Sequence, residues 1–294
     1  MKNPNGENRV LLVGNPNVGK SVIFAYLTGT YAVVSNYPGT TVEVSHGRAR
    51  FDRSIEITDT PGVNSLIPKS EDEKVTRDII LQNRGATVVQ IADAKNLFRA
   101  LLLTAELAEI GCRTILVLNM MDEARQRGIT IDTKELSRLL GIDVIETVAV
   151  EKRGLSKIVQ AVSAGSATRV GMTTRYPSPV ADAAKEIEDS SALPGKAGMF
   201  EIVSALSGDT SLLEEQLGVP RNQIGTLVSL VERMESKLPH KFGYYAFSAR
   251  RGAAESVRRQ VVHVRDMEGE TSSQRLGRYI LPLTIGAVSA LLYI

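Results

Sequence analysis

The 294-residue sequence predicts an α/β fold, a mostly parallel sheet covered on both faces, followed by a small all-helical domain. Three observations carry this. Between residues 10 and 165, short β-rich runs alternate with stretches of helical pattern, the layout of parallel strands joined by helical crossovers. The first run, Val10-Leu11-Leu12-Val13, leads into the glycine-rich loop Gly14-Asn15-Pro16-Asn17-Val18-Gly19-Lys20-Ser21 and then the apolar, turn-free stretch Val22 to Leu27, so the order is strand, loop, helix. Beyond residue 176 the β-rich runs cease and apolar residues recur at helical spacing.

The pattern GxxxxGK[ST] at 14–21, set between a strand and a helix, is a phosphate-binding loop. Glycines let the backbone fold tightly enough for its amides to point at phosphate oxygens, and the helix start adds positive dipole at the same place. In this reading Lys20 reaches the β- and γ-phosphates, the Ser21 hydroxyl holds Mg²⁺, and Val22 follows on the first helical turn. Strands are expected at 10–13, 55–58, 86–92, 114–118 and 143–148, and helices at 20–28, 97–110, 133–140 and 154–164. Ligands of such folds sit at the carboxyl ends of the strands, so the loops there hold the candidate site.

Four loops follow in order. Residues 36–43, Asn-Tyr-Pro-Gly-Thr-Thr-Val-Glu, form an irregular connection: either a plain hairpin turn or a switch loop, with Gly39, Thr40 and Thr41 near the nucleotide and a threonine on Mg²⁺ when a γ-phosphate is present. Asp59-Thr60-Pro61-Gly62 closes the strand 55–58; its carboxylate can hold the Mg²⁺ shell and the Gly62 amide can bond a γ-phosphate. Asn119-Met120-Met121-Asp122 closes the strand 114–118. Asp122 can accept from N1–H and the exocyclic amine of guanine, whereas adenine would leave that carboxylate unpaired. Asn119 can brace the loops and accept from the base. Val148-Ala149-Val150 ends the last strand, where backbone amides approach the base.

Composition narrows the classes. A net charge of +2 gives no global argument for nucleic acid. The single cysteine, Cys112, excludes a disulfide framework, suits the cytosol and is expected as a buried thiol between a helix and a strand. His46, His240 and His263 have no metal-ligand spacing, and Met1 to Arg9 is polar, without a secretory pattern. The Ser/Thr/Gly-rich stretch 166–175, followed by Pro177 and Pro179, reads as a linker, which divides the chain into domains at 1–168 and 176–265. In 221–238, Ile224, Leu227, Val228, Val231, Met234 and Leu238 mark one apolar helix face, and Phe247, Val257, Val261 and Val264 a comparable stripe over 247–265. Residues 266–278 then read as a juxtamembrane segment. Residues 279–294 are uncharged and read as the start of a first transmembrane helix, roughly 24 Å long against the roughly 30 Å of a bilayer core, in a chain expected to continue. Arg275 and Arg278 before it mark the cytoplasmic side.

Together, in order, GNPNVGKS, the switch threonine, DTPG and NMMD resemble a translation-factor-class P-loop GTPase. The finer resemblance is to the cytosolic part of the ferrous iron transport protein B (FeoB) family, over residues 10 to about 165 and more loosely beyond. The family's loop reads GNPNxGK[ST]; its switch loop N-W-x-G-x-T-V-E matches Asn36 to Glu43 with Tyr37 for Trp. Asp93-Ala94-Lys95-Asn96-Leu97-Phe98-Arg99 and Leu101 to Thr104 resemble a further family run. By that alignment Thr41, not Thr40, is the Mg²⁺ threonine. The resemblance implies GTP and GDP as ligands, Mg²⁺ held by Ser21, Thr41 and Asp59, and catalytic roles for Lys20, Asn17, Thr41 and Gly62. It implies a helical module that modulates nucleotide release, and attachment to an Fe²⁺ transporter at the cytoplasmic face of the bacterial inner membrane, homo-oligomeric through its membrane part. Asn17 matches an asparagine that supports an activating K⁺ in related GTPases. Val63 stands where many small GTPases place a water-orienting glutamine, so intrinsic turnover should be slow. Two features depart from the family: Ala149 replaces its usual serine, and the helical part lacks a tryptophan. The alternatives are a soluble GTPase of ribosome assembly or tRNA modification, which a basic RNA-binding domain would mark, and a nucleotide-dependent binding switch with negligible hydrolysis.

Overall fold

The computed structural model describes residues 8–29, 33–189 and 197–265. The strands are β1 (Asn8–Gly14), β2 (Val33–Asn36), β3 (Glu43–Arg48), β4 (Ile55–Asp59), β5 (Thr87–Asp93), β6 (Arg113–Asn119), β7 (Ile129–Ile131), β8 (Val144–Glu146), β9 (Thr168–Arg169) and β10 (Val262–Val264). The helices are α1 (Lys20–Thr28), α2 (Glu71–Gln82), α3 (Leu97–Ile110), α4 (Met121–Gln126), α5 (Thr133–Leu140), α6 (Leu155–Ala164), α7 (Ser178–Asp189), α8 (Met199–Leu206), α9 (Thr210–Glu215), α10 (Arg221–Glu235) and α11 (Phe242–Val261).

The main sheet runs β2-β3-β4-β1-β5-β6-β8. β4, β1, β5, β6 and β8 are mutually parallel, and β2 and β3 add an antiparallel hairpin at one edge. The expected parallel core is therefore present. The 36–43 segment is the turn of that hairpin, closed by Tyr37 N–H donating to the Val42 carbonyl at 2.8 Å.

Strand alternation divides the apolar residues between the two faces. Val10 and Leu12 of β1 join Ile23, Phe24 and Leu27 of α1 and Leu155 and Ile158 of α6 in one cluster. Leu11 and Val13 join Val75 and Ile79 of α2 and Leu103 and Leu107 of α3 on the other face. That second cluster runs on without a break into Phe200, Val203, Leu212, Ile224, Leu227, Phe242 and Ala246, so the helical part shares its core with α2 and α3. Charge reinforces this contact: Arg77 of α2 is fully buried and pairs with Asp209, the N-cap of α9.

Residues 166–175, expected as a linker, are instead structural. β9 pairs antiparallel with β6, and Val170 and Met172 are buried against α3, α5 and α11. The apolar stripe expected over 247–265 also needs correction. The helix stops at Val261 and turns into β10, which pairs antiparallel with β7, and Phe247 and Val264 are exposed. The buried face of α11 is Phe242, Ala246, Arg250, Ala254 and Val261, mostly one helical turn apart. The membrane-helix expectation at 279–294 lies outside the described residues; among the described ones, no helix is long and apolar enough to cross a membrane.

Cys112 is buried between the end of α3 and the start of β6, and burial pushes its thiol up to about 12 against a weak pull from Arg84. The nucleophile is the thiolate, so on the order of one molecule in ten thousand is reactive at pH 8. Native protein should stay unlabelled by a thiol reagent such as Ellman's until denaturant is added. Prompt labelling in native buffer would contradict the burial.

Candidate functional site

β1 delivers the phosphate-loop sequence to a cavity of about 620 Å³ at the carboxyl ends of the parallel strands. Pro16, Asn17, Gly19, Lys20, Ser21, Val22, Gly62, Asn119, Met120, Asp122, Val148, Ala149 and Val150, all named from sequence, line it together with Asp72 and Glu123. Two glycines are required by close approach. A Cβ at Gly14 would lie 2.2 Å from the Ile91 carbonyl oxygen of β5, and one at Gly62 would lie 2.9 Å from Pro16 Cα. The second contact presses the DTPG turn onto the phosphate loop. The Val63 amide donating to the Gly14 carbonyl at 3.0 Å fixes the same seam.

Some motif residues build this seam rather than line the cavity. Asn15 is buried and its side-chain amide donates to the Val63 carbonyl at 3.0 Å. Thr60 donates its hydroxyl to the Leu12 carbonyl at 2.9 Å, Val18 and Met121 pack in the core, and Pro61 accepts from the Thr76 hydroxyl at 3.2 Å. Val63 is fully buried, so its side chain cannot face a reacting water. The structure does not bring Gly39, Thr40 or Thr41 to the cavity. The Thr40 hydroxyl is spent within its own turn, donating to Tyr37 O at 3.0 Å and accepting from the Val42 amide at 3.2 Å, and Thr41 is exposed. Tyr37 anchors the turn elsewhere, accepting at its hydroxyl from Gln82 of α2 at 3.0 Å.

Lys20, Ser21 and Asp59 meet at one end. The Ser21 hydroxyl donates to Asp59 Oδ2 at 3.3 Å, while Asp59 Oδ1 is buried without a hydrogen-bond partner among the described residues. Burial lifts the Asp59 carboxyl above its ordinary range, opposed by Lys20 and Ser21; burial likewise lowers Lys20, opposed by Asp59. A partly dehydrated carboxylate with an orphaned oxygen beside a hydroxyl is a hard-oxygen donor set that suits Mg²⁺.

The other end is organised by Asn119. Its amide donates to the Val18 carbonyl at 2.9 Å, and its Oδ1 accepts from the Ala149 amide at 2.9 Å and the Thr147 hydroxyl at 3.1 Å. The bracing role is as expected. Acceptance from a base is not, because both lone-pair directions of Oδ1 are already in use. Met120, at φ 62°, turns the chain so that Asp122 stands at the cavity in the first turn of α4.

Sequence reasoning missed the residues that hold the loop after Gly62. Glu73, buried in the first turn of α2, accepts from the Asn64 amide at 3.3 Å and the Lys69 amide at 2.8 Å. Glu106 of α3 accepts from the Leu66 amide at 2.6 Å and the Ser65 hydroxyl at 2.8 Å. The first was readable: Ser70-Glu71-Asp72-Glu73 is an S-x-x-E helix start, and Ser70 does cap α2. Nothing local marks Glu106.

The family profile for ferrous iron transport protein B matches residues 8–162, more than half of the chain and all of the site just described. The chain belongs to the ferrous iron transport protein B family. A Legionella pneumophila (strain Paris) relative, an Fe(2+) transporter FeoB, is 40% identical over 157 residues, which cover 52% of this chain and 21% of that protein. The chain thus spans only about a fifth of the relative's length. Among solved structures, a GDP-bound mutant of the S. thermophilus FeoB G-domain superposes with a TM-score of 0.74 at 30% identity, covering 87% of this chain and 100% of that one. S. thermophilus NFeoB bound to GDP.AlF4⁻ and K⁺ superposes at 0.69 and 30% identity, covering 85% and 98%. The FeoB family's P-loop GTPase fold, with its mostly parallel sheet and helical C-terminal part, is therefore the fold of this chain.

Proposed function

We propose that residues 1–168 bind GTP and hydrolyse it slowly, that residues 176–265 modulate nucleotide release, and that both regulate or drive Fe²⁺ uptake through an attached transporter. One observation carries the reading: Lys20, Ser21 and Asp122 line a single cavity, with Asp59 behind Ser21 at the phosphate-loop end and the Asp122 carboxylate, suited to reading a base, at the other. The GDP-bound FeoB G-domain of the same fold supports the choice of ligand. Residues 266–278 then lead to a membrane segment from residue 279, at the cytoplasmic face of the bacterial inner membrane, with homo-oligomerisation through the membrane part.

The chain's own residues supply the chemistry. The loop amides and Lys20 place positive charge against the β- and γ-phosphates, the Gly62 amide bonds the γ-phosphate, and Asp122 accepts from both guanine donors. Ser21 and Asp59 would hold Mg²⁺, whose charge would offset the negative charge of the phosphates. Thr41 would join that shell only when the 36–43 turn rearranges; here that turn is tied to α2 by Gln82 donating to the Tyr37 hydroxyl. Fe²⁺ uptake by the longer protein should collapse in Lys20→Ala; uptake at the unmutated rate would overturn the coupling.

Asn17 is exposed in the cavity at a φ of 63°. We assign it the support of a K⁺ that would offset charge developing during hydrolysis, a reading the K⁺-containing S. thermophilus NFeoB complex supports. With Val63 buried and no glutamine in its place, K⁺ should raise turnover at least tenfold over Na⁺, by order of magnitude for one added positive charge. Asn17→Ala should remove most of that response while retaining GDP binding. Equal rates in K⁺ and Na⁺ would refute it.

A further inference from the structure

Beside the nucleotide cavity lies a second one, of about 710 Å³, formed by the start of α3, β7, the last turns of α11 and β10. Its cations are Lys95, Arg99, Arg251, Arg258 and Arg259, and among the described residues Glu255 is the one carboxylate in its lining. Lys95 is paired with two carboxylates, Glu123 at 2.6 Å and Asp93 at 3.4 Å. Glu255 is shared by Arg258 and Arg259 at 2.7 and 2.9 Å, so it offsets one of the two. Arg99 and Arg251 are exposed and have no ion-pair partner among the described residues. Five cations thus stand against three carboxylates, Glu255, Glu123 and Asp93, and the surplus of two positive charges centres on Arg99 and Arg251. Beneath them the surface is apolar, with Phe98, Leu102, Ile129 and Val262 half-buried and Val264 exposed at 66%.

We propose that this groove receives anionic phospholipid headgroups at the surface of the bilayer. A guanidinium fork pairs bidentately with a phosphodiester, and an apolar floor beside it suits the glycerol and first methylenes of a lipid, which a free phosphate lacks. The position of the chain's exit favours a membrane over a soluble acidic partner. Val264 forms one wall of the groove, and thirteen residues separate Arg265 from the uncharged segment that begins at Tyr279. At no more than about 3.5 Å per residue, the groove is held within roughly 50 Å of that segment. The proposal rests on the membrane reading of residues 279–294, and it adds a recognition of lipid charge that a purely apolar anchor does not have.

The test uses the full chain and vesicles of phosphatidylcholine with or without phosphatidylglycerol. Binding to the neutral vesicles reports the apolar segment; the increment on adding the anionic lipid reports the groove. Two basic residues at about fivefold each predict that Arg99→Gln with Arg251→Gln lowers the increment roughly 25-fold. Removing two exposed charges elsewhere, Arg53→Gln with Arg175→Gln, should change it far less. Anionic vesicles should also slow hydrogen exchange at 97–102 and 251–264, and soluble glycerol phosphate at the same phosphate concentration should not. Absence of an increment with neutral binding intact would overturn the groove and leave the membrane reading standing. An equal loss in the control variant, protection by glycerol phosphate, or protection only by an acidic peptide such as polyglutamate would each overturn it too.

Discussion

Replacing Arg250 by methionine should destabilise the protein by about 3–5 kcal/mol, because it strands two carboxylates in the interior. Arg250 is 3% exposed and sits on the buried face of α11. Its guanidinium donates to Glu106 at 3.0 Å and to both oxygens of Glu109, at 2.6 and 3.2 Å, and Glu109 also accepts from the Tyr176 hydroxyl at 2.6 Å. Burial holds the Glu106 carboxyl above its ordinary range, against the pull of Arg250 and of the Leu66 and Ser65 donors. Remove the guanidinium and that opposition weakens while the burial remains. Urea denaturation should show the loss, and adding Glu106→Gln and Glu109→Gln to the variant should recover part of it, since neutral amides need no counter-charge. A loss under about 1 kcal/mol would mean that the interior is wetter than described. The cluster also reaches the site: Glu106 is the residue that grips the backbone of Leu66, four positions after Gly62.

Asp122→Asn should weaken GTP and GDP binding by roughly 2–4 kcal/mol, the cost of replacing a bidentate charged contact by one repulsive and one weak one. The same change should improve xanthine nucleotides, because the new amide donates to the 2-oxo group. Asp122 lines the cavity at the start of α4 and its loop is held independently by Asn119, so the variant should keep its fold. Competition between guanine and xanthine nucleotides measures the switch. Equal affinity for ATP and GTP in the unmutated protein would refute the role of this carboxylate.

Much of this was legible in the sequence, for local reasons. Strand-loop-helix order, GxxxxGK[ST], and the helices 20–28, 97–110 and 133–140 depend on periodicity and on glycine, and the structure has helices with those bounds. A hairpin turn at 36–43 is one of the two readings the sequence allows and is present, but its strands β2 and β3 were not placed, because β2 is short and exposed and so shows no alternation against a core. The face of α11 was half misassigned: Val257 and Val261 pack inward as expected, but Ala246, Arg250 and Ala254 hold interior positions and carry little apolar signal, while exposed Phe247 carries a great deal. Arg250 is buried only because two acids on α3 meet it, at a sequence separation of 144 and 141 residues, and no window along the chain spans that distance. At the site, Thr41 could be named but not placed, since its position depends on a turn that here closes on itself.

Asn119 leaves one more consequence. A Cβ at Gly19 would lie 2.4 Å from its side-chain nitrogen, its amide holds Val18, and its oxygen holds Thr147 and Ala149. One planar group thus connects the glycine-rich loop at 14–21 to the loop at 147–149. In the proposed site the two ends of the nucleotide would be read by surfaces that share a common part, so their binding energies would not be separable quantities. Losses caused by changes at 19 and 119 should therefore be non-additive in a double-mutant cycle, because both act on one strut, whereas Ala149 takes part only through its backbone amide.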